Sequence, residues 1–397
     1  MRLTTLVILL FTALCAFAQE QSLRIGILRD RNIRSVLAMS QRGVCTVFAD
    51  GERKGEIQVN DGLRLDLNGR QLVGKSLHLT VTAKERIELV PRSASSGLRL
   101  RLPESKMAER SYPGTLTIAV EGSELRLTNT VPIEAYTAGV VQAEAGKEHR
   151  QEYYKLQAVS CRTYALSNVR KHAPDGFELC DAVHCQVYHG ACKQDSIRMA
   201  VEATAGMVMV DADIKLIHAL FHSNCGGETV NAEDLWSKRE PYLRSTVDAY
   251  CGTEPHATWQ RTFSRKEWLG YLEKRFGVRT TDRKQLEPLL NYEPTCRDIF
   301  LGNTMHRIPL KHVREDLKLK STFFTVTTKG DQVVLNGRGF GHGVGLCQEG
   351  AMHMARVGKS YTEILRHYYT DVHLVDVNSL DFFRDEDPST GSAGPKR

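Results

Sequence analysis

The sequence predicts a mixed α+β protein, and three observations carry that expectation. Short period-two apolar segments crowd its beginning, helical spacing sets in at Pro132, and strand and helix patterns interleave from there to about Tyr369. At 397 residues, 41% hydrophobic and 25% charged, the chain has material for two domains or one large domain with insertions. That composition excludes disorder or fibre as a reading of the whole. A formal charge of +6, from 53 basic and 47 acidic residues, is far from the dense basic stripe of a nucleic-acid binder, so no nucleic-acid partner is expected.

The elements follow in order. Arg2, the apolar run from Leu6 to Phe17 and the small-x-small sequence Ala16-Phe17-Ala18 read as a signal peptide over residues 1–18. A spanning helix needs about 20 apolar residues; this run is shorter and is closed by Gln19, Glu20 and Gln21. A lipid anchor at Cys15 would want a small residue where Leu14 stands. No later segment is apolar enough to span, so the expectation is an exported protein without a transmembrane anchor, periplasmic or extracellular. Of the ten cysteines, Cys15 leaves with the signal; the rest are odd in number and cannot all pair within one chain.

Residues 19–111 read as a β-rich N-terminal region: Leu23 to Leu28, Val44 to Phe48, Leu77 to Val81 and Ile87 to Val90 alternate between turn residues. Residues 112–375 read as a second, mixed α+β region, the one that the family resemblance given below implies to be catalytic. It opens with strands over Thr115 to Val120 and Glu124 to Leu127. Two helices follow, near Ile133 to Ala145, with Pro132 suited to the first turn, and near Glu152 to Arg170. Strands are expected over Ala205 to Val210 and Leu216 to His222. Residues 279–319 show little periodicity and read as a surface insertion. A hairpin around Gly330-Asp331 and helices from Gln348 to Val357 and Tyr361 to Tyr369 close the domain, and the polar tail 385–397 reads as disordered.

Four groups of residues carry candidate chemistry. Tyr136, Val140 and Glu144 succeed one another at i+4 steps, placing a carboxylate at the end of an apolar stripe, where desolvation would raise its pKa and make it a proton donor; the alternative is a solvated Glu. Lys155 and Arg162, seven residues apart, share a helical face and offer two cations to an anion, or are simply solvated. His172, Cys180, His184 and Cys185 are the donor set of a tetrahedral Zn2+ site; a Cys180–Cys185 or Cys185–Cys192 disulfide is the competing reading. The runs His222-Ser-Asn-Cys-Gly-Gly-Glu228 and Gly339-Phe-Gly-His-Gly-Val-Gly-Leu-Cys-Gln348 let backbone approach a ligand closely.

These residues resemble a known family. Val131-Pro-Ile-Glu-Ala-Tyr136, Gly139-Val-Val-Gln-Ala-Glu144, Lys155-Leu-Gln-Ala-Val-Ser-Cys-Arg-Thr-Tyr-Ala165, Phe221-His-Ser-Asn-Cys-Gly-Gly227, Trp236, Pro241-Tyr-Leu243 and the run ending at Gln348 are similar to the stage II sporulation protein D family over about Tyr112 to Tyr369. The resemblance implies a lytic transglycosylase acting on peptidoglycan glycan strands stripped of their stem peptides. A related branch enhances cell-wall amidases, which makes such an amidase an expected partner and a non-catalytic glycan-binding enhancer the alternative function.

Carried over by motif, Glu144 is the catalytic acid. Lys155, Arg162, Tyr164, His222, Ser223, Gly226, Gly227, His342 and Gln348 fall to substrate binding. His172, Cys180, His184 and Cys185 fall to a Zn2+ that, with four protein ligands, would be structural. The sequence departs from the usual family pattern at Cys161, Cys225, Cys347 and Glu349; a Cys225–Cys347 or Cys225–Cys251 disulfide is open. A single candidate carboxylate suits lytic cleavage, in which the sugar's own C6 hydroxyl attacks and one residue serves as acid and then base. Lys155 and Arg162 are expected to hold the lactyl carboxylate exposed when stem peptides are removed.

Overall fold

A computed structural model describes residues 21–379, apart from 94–95, 148, 237, 280 and 303–305. The signal segment 1–18 and the tail 385–397 lie outside the described residues. Twelve strands come first: β1 (Ser22–Ile27), β2 (Ser35–Ser40), β3 (Cys45–Ala49), β4 (Glu52–Ile57), β5 (Gly62–Asn68), β6 (Gln71–Lys75), β7 (Thr80–Ala83), β8 (Arg86–Pro91), β9 (Gly97–Arg101), β10 (Arg110–Pro113), β11 (Thr115–Glu121) and β12 (Glu124–Pro132). With β13 (Leu179–Cys180) they form a seven-stranded sheet, ordered β13-β1-β12-β11-β8-β3-β4, and a six-stranded sheet, ordered β10-β9-β2-β5-β6-β7. Their inward residues, such as Val36, Leu65, Leu89 and Ile118, are solvent-free and belong to one core, the alternation that the strand period requires.

Two expectations change here. The boundary at 111 is not a seam, because β11 pairs with β8 and β10 with β9 across it. A local pattern shift does not reveal pairing between distant strands. The expected strand at Leu77 starts three residues later, since Leu77 is exposed and the Ser76 hydroxyl accepts from the His78 and Leu79 N–H groups in a turn.

β12 runs directly into α1 (Ile133–Ala145), which Pro132 initiates. Next come α2 (Gln151–Ser167), α3 (Asp195–Glu202), β14 (Met207–Val210), β15 (Phe221–His222) and α4 (Ala232–Trp236). The strand expected over Leu216 to His222 is reduced to a bridge at Leu216 and the two residues of β15. β19 (Leu346–Cys347), α8 (Gln348–Arg356), α9 (Tyr361–Tyr368) and β20 (His373–Asp376) complete the main body; their numbering leaves room for three strands inserted before them.

Those strands, β16 (Thr258–Ser264), β17 (Phe324–Lys329) and β18 (Gln332–Arg338), pair as β16-β18-β17 and pack with α5 (Arg265–Phe276), α6 (Arg283–Leu290) and α7 (Leu310–Asp316) around a second core. Trp268, Leu272, Leu289, Val313 and Leu335 are buried in it. The inserted unit is therefore wider than residues 279–319 and has its own apolar centre. Part of the expected surface insertion is α6 and α7, whose Leu289 and Val313 are its core.

Candidate active site and metal cluster

Glu144 occupies the last turn of α1, and its carboxylate Oε1 accepts a hydrogen bond from the Val187 N–H at 2.7 Å. Its Oε2 accepts none among the described residues. Burial raises the Glu144 pKa above the ordinary 4.5, against a smaller lowering by the Val187 N–H; among the described residues no charged neighbour contributes. The segment that supplies Val187 is docked on α1 by its flanking residues. The Tyr136 hydroxyl donates to Gln186 Oε1 at 3.3 Å, and the Tyr136 and Tyr188 rings lie 5.0 Å apart. Gly139 permits this approach: a Cβ there would stand 2.3 Å from the Gly190 carbonyl oxygen.

Gln348, at the start of α8, points its Nε2 to the Glu144 carbonyl at 3.5 Å. Beyond it, β15 and β19 pair in parallel with His222 opposite Cys347. His222 is buried, its Nδ1 lies 3.2 Å from the Val344 carbonyl, and its buried Nε2 has no partner among the described residues. Burial, first, holds its pKa well below 6.5. His342, 5.3 Å away between ring centres, donates from Nε2 to the Phe221 carbonyl and accepts at Nδ1 from the Val344 N–H, and burial lowers its pKa to about 4. Both imidazoles are thus neutral hydrogen-bonding groups near neutral pH. Gly341 lets the loops meet, since at φ +117° its Cβ would lie 2.8 Å from that of His222.

Ser223 accepts at its carbonyl from the Glu349 N–H, 3.0 Å, while Gly226 is buried and Gly227 half-buried with open space above its Cα. Tyr164 lines a cavity of about 300 Å³ with Lys171, His218, Trp236 and Glu240. Glu144 does not line that cavity. The structure therefore links Glu144 to the histidine loops through Gln348, and sets Tyr164 beside Trp236 in a separate hollow.

The basic pair is a correction. Arg162 is wholly buried: its guanidinium pairs with Glu134 of α1, Nε to Oε1 at 2.8 Å and Nη2 to Oε2, and donates to the Met207 carbonyl at 3.0 Å. It ties α1, α2 and β14 together and has no face left for a substrate anion. Lys155 pairs with Glu152 at 2.7 Å, whose other oxygen accepts from the Tyr361 N–H at 2.8 Å. A seven-residue spacing puts the two on one side of α2 but does not say that α1 and β14 cover its C-terminal half.

His172, Cys180, His184 and Cys185 bring one donor atom each to within 4.8 Å of one another. His184 Nδ1 lies 3.8 Å from Cys180 Sγ and 3.7 Å from Cys185 Sγ. His172 turns Nδ1 to the Asp175 carboxylate at 2.8 Å, and its buried Nε2 has no hydrogen-bond partner among the described residues. An imidazole oriented by a carboxylate and grouped within 4.8 Å of two sulfurs and a second imidazole fits a metal ligand, so the donor set suits Zn2+. Both Cys180 and Cys185 are free thiols, as is Cys192.

Sequence reasoning missed a buried polar network beside this site. Glu349, 6% exposed, accepts from Asn224 Nδ2 at 2.6 Å and from the His256 N–H at 3.2 Å, and pairs with the His256 ring. His256 had no motif around it; the departure from the family pattern at Glu349 was its one visible signal.

Fold and site together define a class: an α+β protein in which one desolvated acid stands at a helix end beside a Cys/His cluster. Residues 121–210 match the family model described as Stage II sporulation protein. An uncharacterized protein of Brachyspira hyodysenteriae is 31% identical over 277 residues, 68% of this chain and 73% of the relative. The Stage II sporulation protein D of Bacillus subtilis is 28% identical over 297 residues, 70% of this chain and 84% of the relative. The Amidase enhancer of Bacillus subtilis is 25% identical over 285 residues, 58% of this chain and 39% of the relative. The chain belongs to the stage II sporulation protein D family.

Proposed function

We propose that this protein is a peptidoglycan lytic transglycosylase that cleaves the MurNAc–GlcNAc bond of peptide-stripped glycan strands and leaves 1,6-anhydroMurNAc ends. Family membership and likeness to an amidase enhancer support a cell-wall-related role outside the cytoplasm. Among the described residues no helix is long and apolar enough to cross a membrane. The finer reading rests on Glu144, whose carboxyl pKa is raised by burial and which has one oxygen held by Val187 and the other without a partner among the described residues. The free oxygen protonates the departing glycosidic oxygen; as carboxylate, Glu144 then accepts the proton of the C6 hydroxyl as that oxygen closes on the anomeric carbon. One carboxyl suffices for this sequence, whereas hydrolysis uses a second. Glu349, the buried acid next to Gln348 on α8, is already committed to Asn224 and His256.

With Arg162 buried, Lys155 is the remaining member of the pair for the lactyl carboxylate. It lies outside the groups that shift Glu144, which keeps a cation from opposing the acid role. Zn2+ on His172, Cys180, His184 and Cys185 would be structural, fixing the loop that carries Val187. The test is mass spectrometry of peptide-free glycan strands after incubation with the native protein and with Glu144→Gln. Anhydro ends with the native protein alone support the reading; reducing ends would mean hydrolysis. A second reading, a glycan-binding enhancer of a cell-wall amidase, rests on the likeness to the Amidase enhancer and gains if neither protein cleaves while glycan is still bound.

A further inference from the structure

We propose a second metal site, formed by Cys225, Asp248, Cys251 and Cys347, that takes a thiophilic divalent cation such as Zn2+. The four donor atoms lie within 4.8 Å of one another and all four residues are buried. Cys225 Sγ is 3.4 Å from Cys251 Sγ and 3.2 Å from Asp248 Oδ2. Tetrahedral Zn2+ with bonds near 2.3 Å separates its sulfur ligands by about 3.8 Å, so small shifts of side chains already in place would seat the ion.

Two further observations point to a missing cation. Asp248 is 2% exposed, yet no lysine or arginine pairs with it among the described residues; its hydrogen-bond partners are the Tyr368 hydroxyl at 2.9 Å, the Tyr250 N–H at 2.8 Å and the Cys225 thiol, and the one basic ring that feels its charge is His367, which burial holds toward the neutral form. A buried carboxylate without a cation is costly, and a bound divalent ion removes that cost. Backbone N–H groups also aim at sulfur: those of Cys225 and Gly350 reach Cys347 Sγ at 3.2 and 3.4 Å. A disulfide between Cys225 and Cys251 is the rival arrangement. It would use two of the three sulfurs and leave Cys347 and the Asp248 carboxylate outside the linkage, although both stand within 4.8 Å of it.

The four ligands come from three segments: the loop after β15, residues 248–251, and β19. An ion there would pin the His222 loop to the residue before Gln348 from behind. This inference does not depend on the reaction proposed above.

The test is metal analysis of the full chain purified without chelator. Two Zn2+ per chain are expected in the native protein, one in Cys180→Ser and one in Cys251→Ser. Cobalt loaded into Cys180→Ser should give the strong sulfur-to-metal charge-transfer absorption of a multi-thiolate site, and Asp248→Asn in that background should speed its loss to a competing chelator at least tenfold. If Cys251→Ser does not fold, the Cys180→Ser protein decides alone. No metal retained in Cys180→Ser, or a Cys225–Cys251 disulfide in peptide maps of unreduced native protein, overturns the proposal.

Discussion

The backbone N–H of Val187, two residues beyond the candidate ligand Cys185, donates to Glu144 Oε1 at 2.7 Å. The Cys/His loop therefore touches the proposed acid through a main-chain group, and the chemistry of one is coupled to the fold of the other. Glu144→Gln keeps the side-chain shape and the Val187 contact but removes the exchangeable proton. Anhydro-product formation should fall by about 10³-fold, within the range of general acid–base contributions, with the circular dichroism spectrum unchanged.

Burial raises the Glu144 pKa, so the rate should decline as pH rises through that raised value, because the acid form is lost. Linkage gives the matching stability effect. A carboxyl whose folded pKa exceeds its unfolded one contributes stability fully below the unfolded value and loses it as pH rises through the folded one. Glu144→Gln, neutral at every pH, should thus lose less stability than the native protein between acidic and mildly alkaline buffer. Urea denaturation at two pH values measures this.

Loss of the Cys/His cluster should reach the acid. In Cys180→Ser the loop is released, and turnover of peptide-free glycan should fall about 10- to 100-fold, as when groups that orient a metal centre are removed. Losing the Val187 N–H, which lowers the Glu144 pKa, should move the alkaline limb of the pH–rate profile upward. An unmoved limb would separate the loop from the acid.

Arg162 and Lys155 should behave differently when neutralised. Arg162→Met leaves Glu134 without its buried partner and should cost about 3 kcal/mol in urea denaturation, as expected when one member of a largely buried ion pair is removed. Lys155→Gln breaks a half-exposed pair and should cost under about 1 kcal/mol. Its kinetic effect should be larger on denuded than on peptide-bearing glycan if Lys155 holds the lactyl group.

Gly139→Ala tests the docking of α1 on the Tyr188 segment. The added methyl would meet the Gly190 carbonyl at 2.3 Å, which forces a main-chain shift and should destabilise by about 1–3 kcal/mol.

How much of this was legible depended on sequence separation. The helix at Pro132 and the one starting at Gln348 were readable because a cap or a glycine-rich entry marks them locally. The four residues from His172 to Cys185 lie close enough along the chain to be grouped by eye, and the structure does bring them together. Cys225 and Cys347, 122 positions apart, were linked only through the family resemblance, as one of two open disulfides, and nothing local added Asp248 to them. Arg162 carried no local signal either: its burial is decided by Glu134 on another helix. The helix α5 was missed although Ser264 and Glu267 form a capping box at its start, a local sign that was there to be read.

The first strand, β1, lies between β12 and β13, with Gly26 beside the candidate ligand Cys180. On the ribosome β1 is made well before either neighbour, so it waits as an unpaired edge until residues 124–132 and then 179–180 have followed. Long-range pairing of this kind is slow and leaves an aggregation-prone intermediate. Chain connectivity therefore sets the order in which this edge can close: β1 is covered on both sides only once residues 179–180 are in place.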